Sequence, residues 1–575
     1  MISLKTLANV LVFLNASAIL VVLISSGAFK SPEEAYLQES IESHKFNNKE
    51  VAFEALNQLD AYVEVPAKHY SYPPTFGKVY LGIKQDQEYC EKVRKLVVEE
   101  PEIHFNQLNF LTDDLPTTFM RSTLIPRAGK DLNPMTNYAK IPKANSAVPR
   151  FYIDPNVTIT YINREMHYLH RLGKDIGCLF QEYNQVLGIA TLYRKDTIAS
   201  AATNYTYKYA DRPQCFDGNK FFPRTLALDN ATECREWFNY INTKEYEEEK
   251  RQKTIVFIRK ISVGSHQGKG VQPVDEDEEK NLTETYQNGK LCGKVKSPVI
   301  VQRYIHNPLL VVDHKFDFRI YMLIASVNPL IVYYHDGFLR VSLFEYDVTN
   351  KEKGMHLTNT AQSIRSKEKV LKEGLMNETE LENLQMWNLT RFTNYLVEVG
   401  KVESIDWLDT YLRPQFQHAM QHLVRMTQHM FFPSSASYQL MGVDFMLDDD
   451  LNLWFIEANV GPQLKGTPKE KEILVSTMVM DMFEILHAQL KSRLKRTIKY
   501  INWLDQSGLL TRDDDGKVKI SKLEQRKQEF ADITKNYLDE EFEIRSDNGW
   551  VKIIDENKEG LDRYNYMFGI ECFDV

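Results

Sequence analysis

Three oxygen-bearing side chains, Asp444, Glu457 and Asn459, lie within the stretch Tyr438–Gly461. Two apolar runs, Leu440–Leu447 and Leu451–Ala458, flank the acidic turn Asp448-Asp449-Asp450, a pattern that predicts an antiparallel hairpin. Glu457 and Asn459 are two positions apart, so on an extended strand they share a face, and Asp444 can join them from the partner strand. Two carboxylates and an amide carbonyl form a hard-oxygen set suited to Mg²⁺, which takes one or two protein carboxylates and completes its shell with water and phosphate. A polar strand end facing water would show the same residues, so the cluster alone leaves both readings open.

Basic residues supply the complement. In Lys253–Val271 a β-branched run ends at Lys260, and a loop with Gly264, Gly268 and Gly270 follows. Backbone N–H groups approach an anion closely where no Cβ intervenes, and an ammonium neutralises it, so this is a candidate phosphate device. Glycines that simply turn a hairpin give the same string, and no Walker pattern is present. Val299–Ile305 reads as a buried strand whose end carries Gln302, Tyr304 and backbone groups able to hold an adenine edge. Lys315, Asp317 and Arg319 alternate along one face of the next run, with Phe316, Phe318 and Ile320 on the other. Arg340 follows a further strand, Leu330–Tyr334, and His356-Leu357-Thr358-Asn359 closes a loop after it.

The chain that must position these groups has 575 residues, 43% of them hydrophobic, enough for two or three subdomains. A net charge of −9 gives no footprint for nucleic acid. Leu7–Ile24 is an uncharged apolar run flanked by Lys5 and Lys30, the length of a secretory signal or a short transmembrane anchor, so the chain is expected to meet a membrane. The near-symmetric lysines leave its orientation open. Six N-glycosylation sequons follow, at Asn156, Asn204, Asn230, Asn281, Asn377 and Asn388, a number that composition alone nearly explains. Six scattered cysteines contain no CxxC pair, which argues against zinc and is compatible with disulfides.

Ser31–Val148 is polar and Pro-punctuated, with helical spacing in Glu33–Leu59 and no recognisable chemistry. Asn184–Lys195 reads as a turn into a strand, and Asp196–Ala202 as a helix capped by Asp196. Asp275–Lys280 with the following polar residues reads as a solvated insertion. The basic run Lys491–Lys499 reads either as the wet face of a helix or as a surface for an acidic protein tail. Thr511–Val575 is charged and helix-prone.

Taken in order, the strings NQVLG, YRKD, FFPRTLAL, VIVQRYIHNPLLV, KFDFRIYML, MHLTN and MGVDFMLDDDLNLWFIEAN resemble those of the tubulin-tyrosine ligase family, amino-acid ligases of ATP-grasp fold. The resemblance spans about Tyr152–Glu484. It implies an α+β chain of ATP-grasp fold with a small α/β subdomain at 151–250; outside it, the residue pattern gives a signal or anchor at 1–29, an accessory region at 30–150 and a charged helical extension at 491–575. Between them, 251–312 and 313–490 are the two ATP-grasp subdomains, the second holding the metal cluster.

By resemblance, Lys260, Gln267, Gly268 and Lys315 hold ATP phosphates, with Thr358 and Asn359 beside them. Gln302, Arg303, Tyr304 and Ile305 clasp the adenine, Phe316 and Asp317 lie on the ribose side, and Asp444, Glu457 and Asn459 bind Mg²⁺. Arg340 grips the carboxylate of a free amino acid, with Lys471 assigned similar work, and Arg319 joins Lys260, Lys315 and Arg340 in the catalytic set. The implied reaction activates a carboxylate of tubulin or another acidic-tailed protein as an acylphosphate, from which the amine of a free amino acid, glutamate first, displaces phosphate to make an amide. Family resemblance also implies a cytoskeletal or ciliary location. Four departures stand out: Ile261 where the family has Pro, a Lys260-to-Gly268 spacing one residue longer than the family's, Thr360-Ala361 where the family has Tyr-Ser, and Val460 after the metal Asn. They leave the nucleotide half intact and alter the amino-acid half, so an inactive structural relative or an ATP-binding regulator is the alternative reading.

Overall fold

A computed structural model describes residues 45–59, 87–102, 108–112, 132–134, 159–161, 178–184, 186, 188–253, 255–262, 270–288, 290–294, 299–349, 356, 358, 360–431, 436–462, 464, 469–534, 544–558 and 572. The Leu7–Ile24 run, Asn156, Gln267, Gly268 and Asn359 lie outside these residues.

Helices α1 (Lys49–Leu59) and α2 (Gln87–Glu99) lead into short strands β1 (Leu108–Thr112), β2 (Leu132–Pro134), β3 (Ile159–Tyr161) and β4 (Glu182–Asn184), then α3 (Lys195–Lys208). Next come β5 (Thr225–Ala227), α4 (Ala231–Ile241), α5 (Lys244–Gln252), β6 (Phe257–Ile261), β7 (Val271–Pro273), α6 (Glu276–Leu282) and β8 (Val299–Arg303). The largest block runs through β9 (Leu310–Val311), β10 (His314–Val327), β11 (Leu330–Glu345), α7 (Thr360–Lys372), α8 (Glu378–Gln385), β12 (Met386–Asn388), α9 (Leu389–Glu398), α10 (Arg413–Thr427), β13 (Ser437–Leu447), β14 (Leu453–Asn459) and α11 (Lys469–Gln506). It ends with β15 (Leu510–Arg512), β16 (Val518–Ile520), α12 (Leu523–Ile533) and β17 (Val551–Asp555). The chain is mixed α/β.

The central sheet is ordered β12-β11-β10-β13-β4-β3-β1-β2, with β14 on β13, β17 on β11 and β9 on β10. Its middle strand β10 is buried along its whole length, which its alternating apolar residues explain. Phe316, Phe318, Ile320, Met322 and Ile324 enter one core with Phe392 of α9 and Phe416 of α10. A register shift follows Arg319, and beyond it Tyr321, Leu323 and Ala325 pack against Val479 and Phe483 of α11. Lys315, Asp317 and Arg319 precede that shift on the same strand, so a charged segment lies where the α11-covered core stops.

A second sheet, β5-β8-β6-β7, carries α4, α5 and α6 over a core that includes Leu226, Trp237, Tyr246, Phe257, Leu282 and Val301. Since β5 and α4 are integral to it, the expected division at 250/251 falls inside this unit. Asp275–Lys280 is not a solvated insertion: Asp275 caps α6 by accepting from the Glu278 amide at 3.0 Å. The clustered acids suit the helix N-terminus. Glu278 meets Arg259 at 3.3 Å, and Leu282 and Tyr286, four apart, bury against the sheet.

The expected boundary at 490/491 falls inside α11, whose second half packs with α1, α2 and α12. Here Arg493, fully buried, donates to Glu182 at 2.8 Å and to the Leu179 carbonyl at 2.6 Å. Lys495 is 1% exposed. Lys491–Lys499 is therefore not a continuous wet face or basic surface for an acidic tail: Arg493 and Lys495 are buried and Arg493 is already paired with Glu182, Lys491 and Arg496 are half-buried, and Lys499 is exposed. Among the described residues α11 is the helix long and apolar enough to cross a bilayer, but 78% of its apolar window is buried within the fold, as befits a core helix. The C-terminal stretch folds back onto the body: β17 pairs with β11, and Cys572 is bridged to Cys215. Cys90–Cys178 and Cys234–Cys292 complete three disulfides.

Candidate functional site

The expected hairpin is present, with Asp444 opposite Glu457 and Gly442 opposite Asn459. Asp448 closes its turn, accepting from the amides of Asp450 and Asn452 at 3.0 and 2.8 Å and from the Trp454 indole at 2.9 Å. On its other side β13 pairs with β10, which sets Asp444 against Arg319, and β10 pairs with β11, which sets Asp317 against Arg340. Cross-strand partners project to one face, so the register alone lays Arg340, Asp317, Arg319, Asp444 and Glu457 in a row. Arg340 is thus inside the 16-residue strand β11 rather than after a shorter one, since apolar alternation continues through Leu339 and Val341.

The row is bonded into a buried network. Arg319 donates to both oxygens of Asp444, at 2.5 and 3.0 Å, and Arg340 to both of Asp317, at 2.7 and 2.5 Å. Arg340 also reaches Asp444 at 2.7 Å. Gly442 makes room for this, since a Cβ there would stand 2.8 Å from Arg319 Cδ. Burial pushes the Asp317 carboxyl up, with Arg340 and the Thr358 hydroxyl opposing, while the two carboxylates outweigh burial at Arg340 and hold its guanidinium charged. Of the roughly four lone-pair sites of a carboxylate, Asp444 has committed three. Asn459 approaches Glu457 at 3.5 Å. No group of three or more His, Cys, Asp or Glu able to hold a metal occurs among the described residues, so a cation here would rest on Asp444, Glu457 and the Asn459 amide.

Two buried lysines adjoin this row, Lys315 on β10 itself and Lys260 from the second sheet. Lys260, at the end of β6, is 5% exposed and donates to Gln302 at 2.6 Å, and Gln302 in turn donates to Thr225 at 2.8 Å. Lys315 is 2% exposed, donates to the Tyr304 hydroxyl at 2.9 Å and lies 4.5 Å from that ring's centre. Burial lowers Lys260 to about 8, with Glu457 and Asp444 opposing, and Lys315 to about 7, with Asp317 opposing and Lys260 adding to the fall. Neither ammonium forms an ion pair among the described residues. Two neighbouring buried cations held only by neutral donors and acceptors favour an anion between them.

Glu457 has a partner that the sequence reading missed. Lys195, the first residue of α3, stands 3.2 Å from its carboxylate. Burial raises Glu457, but Lys195 and then Lys260 outweigh it and hold the carboxyl at about 2. The only hint lay in the string YRKD, whose lysine carried no role. Among the described residues Asn184–Lys195 contains no strand beyond Asn184: Ala190–Tyr193 is a helical turn, and Arg194 rather than Asp196 occupies the cap position of α3. Asp196 instead bonds Arg194 at 2.7 Å and the Ser262 hydroxyl, tying α3 to the strand that delivers Lys260.

The remaining expected residues divide. Tyr304 joins the site, its hydroxyl also meeting His356 at 2.8 Å and Tyr346 at 3.2 Å. Thr358 is buried and bonds Asp317. Lys471, 5% exposed at the start of α11, is lowered to about 8 by burial and then by Arg319 and Arg340, which places it on the arginine side. Arg303 points away, bonded to Glu249 at 2.6 Å and Tyr240 at 2.9 Å. The amides of Arg303 and Tyr304 are taken by the Arg224 and Val256 carbonyls, at 2.8 and 3.0 Å, so the backbone groups expected to be open there are partly spent. Phe316 packs in the core on the opposite face of β10, as alternation requires, and does not reach the cluster. Ile305 is half-buried.

Comparison with known proteins follows the same stretch of chain. The model of the tubulin-tyrosine ligase family matches residues 174–497. The chain is 26% identical over 322 residues to the human inactive polyglycylase TTLL10, covering 54% of this chain and 45% of that one. It is 27% identical over 277 residues to the Macaca fascicularis protein polyglycylase TTLL10, covering 46% and 42%. To the Bos taurus probable tubulin polyglutamylase TTLL9 it is 30% identical over 222 residues, covering 38% and 45%. It thus spans less than half the length of each of these relatives. With the matched region enclosing both lysines and the whole carboxylate–arginine row, the chain belongs to the tubulin-tyrosine ligase family.

Proposed function

We propose that this chain is an ATP-dependent ligase of ATP-grasp architecture that joins an amino acid to a carboxylate of tubulin or another protein. The observation that carries the reading is the placement of two buried lysines, with no ion pair among the described residues, beside the carboxylate row: Lys315 stands two positions before Asp317 on β10, and the Lys260 strand is bonded through Ser262 to α3, whose Lys195 meets Glu457. That donor set fits a magnesium-bound triphosphate. Lys260 and Lys315 would hold its phosphates, and Glu457, Asn459 and the last open position on Asp444 would hold Mg²⁺. Mg-ATP held there would supply the phosphoryl group that activates the acceptor carboxylate as an acylphosphate, leaving as ADP; attack of a free amino acid's amine on the acyl carbon would form the amide and release phosphate.

The chain's own residues do the rest. Gln302 and Tyr304 fix the two ammoniums as point charges against developing negative charge. Lys195 holds Glu457 ionised, and the bidentate grip of Arg319 keeps Asp444 oriented. Arg340 and Lys471 supply fixed positive charge on the far side, suited to the carboxylate of an incoming amino acid. Glutamate is the first candidate and glycine the second, since relatives carry the names polyglycylase and polyglutamylase.

A second reading, a nucleotide-binding or structural relative without ligation, is favoured by Arg340, whose guanidinium is already engaged by Asp317 and Asp444. The test is incorporation of labelled glutamate or glycine into tubulin and into a mixture of acidic proteins, with Mg-ATP binding measured in parallel. Incorporation supports the ligase; binding without incorporation of either amino acid supports the second reading.

A further inference from the structure

We infer that this chain matures in an oxidising compartment that also transfers oligosaccharide, where its six cysteines close as three disulfides and the side-chain amides of Asn204 and Asn281 carry N-linked sugar. Two independent sets of residues point there. Every cysteine of the sequence is used, in pairs 88, 357 and 58 residues apart, and none is free. Each bridge joins elements that secondary structure does not hold together: α2 to the lead into β4, the loop after α3 to Cys572, and α4 to the loop after α6. Six scattered thiols kept reduced have no physical reason to arrive two by two with Cα atoms 5.2 to 5.6 Å apart.

The sequons give the second set. Five of them, Asn204, Asn230, Asn281, Asn377 and Asn388, fall on described residues, and all five are exposed. Three have a structural reason to be asparagine: Asn230, Asn377 and Asn388 cap helices by accepting the amides of Thr232, Glu380 and Arg391. Asn204 has none. It lies in the middle of α3, where asparagine is a poor helix former, and its side chain makes no hydrogen bond among the described residues. Asn281 near the end of α6 uses one amide hydrogen, to Glu278 at 3.2 Å, and keeps a second for substitution. The modification forms a bond from the amide nitrogen to the anomeric carbon of a lipid-diphosphate-linked oligosaccharide. The sugar–oxygen bond breaks, the lipid diphosphate leaves, and one amide proton is lost. Each disulfide forms as two thiols pass two protons and two electrons to a disulfide-carrying oxidant.

This inference rests on the proposed ligase only in one consequence: the acceptor carboxylate would belong to a protein of the same compartment, which excludes cytosolic tubulin. The maturation itself is tested without any ligase assay, so failure of one reading leaves the other standing. The full chain is expressed in animal cells, treated with peptide-N-glycosidase, and separately alkylated with a large maleimide before and after reduction. Expected are a mobility increase on glycosidase treatment, loss of one oligosaccharide step in each of N204Q and N281Q, and six alkylations only after reduction. Thiols that react without reduction overturn the disulfide half. Mobility unchanged by glycosidase, or variants that run with untreated wild type, overturns the glycan half.

Discussion

Asp317 and Arg340 stand directly opposite each other on β10 and β11, joined by hydrogen bonds of 2.7 and 2.5 Å, and the same guanidinium reaches across to Asp444. One arginine therefore compensates two buried carboxylates. Arg340→Met should leave Asp317 without its counter-charge and destabilise the fold by about 3–5 kcal/mol, the usual cost of breaking a buried pair from one side. Denaturant titration reads this, and Asp317→Asn in the Arg340→Met background should recover part of it. No loss in the single variant would mean the pair is not buried as described.

Lys315 is buried with no ion pair among the described residues, so its removal has the opposite character. Lys315→Met should keep the thermal midpoint at or above wild type, because a costly buried cation is replaced by apolar volume. Under the proposed function the same variant should weaken nucleotide binding by about 100-fold, or roughly 2.7 kcal/mol. Unchanged ATP affinity would remove Lys315 from the phosphate site.

Burial holds Lys315 near 7 and Lys260 near 8, below the value of about 10.4 expected unfolded. Between those limits the unfolded chain binds more protons, so this pair makes stability rise with pH across about 7 to 10. A bound anion favours the charged lysines, so binding takes up protons. Nucleotide affinity should therefore fall as pH climbs through 7 and 8, approaching about tenfold per pH unit for each lysine. Calorimetry in two buffers of unlike ionisation enthalpy measures the uptake at pH 8, and equal heats would refute it.

Lys195 bears on Glu457 and not on the fold's core, so Lys195→Met should cost little stability. Its loss frees Glu457 to titrate closer to an ordinary carboxylate. Under the proposed function, the acid limb of the ligation profile should shift to higher pH, with Lys195→Arg restoring it. An acid limb identical to wild type would leave Lys195 a bystander.

Cys215–Cys572 closes the longest loop, and Tyr209 also donates to the Cys572 carbonyl at 2.9 Å. Cys572→Ser should lower unfolding free energy by about 2–5 kcal/mol, and a reducing agent should lower the wild-type midpoint further. Indifference of the wild-type midpoint to reductant would argue against the bridges in the native chain.

The hairpin with Asp444, Glu457 and Asn459, the β6 lysine, and the alternation of Lys315, Asp317 and Arg319 were legible because period-two patterning and a turn are local properties. The same locality explains the failures. Nothing in Lys491–Lys499 distinguishes a charged helix in water from one whose Arg493 meets Glu182 more than 300 residues away, and the acids of α6 hide a helix that buries Glu278 and Leu282, with Tyr286 just beyond it.

What the amino-acid order determined by itself was the inventory: which side chains could carry charge, and on which short elements they ride. The partnerships belong to tertiary structure. Lys195 meets Glu457, Gly442 opens space for Arg319, and Cys572 returns to Cys215, each by bringing together positions that the chain separates. Strand register and helix packing set such encounters, and both are decided by the burial of apolar faces over the whole chain, which no single stretch can report.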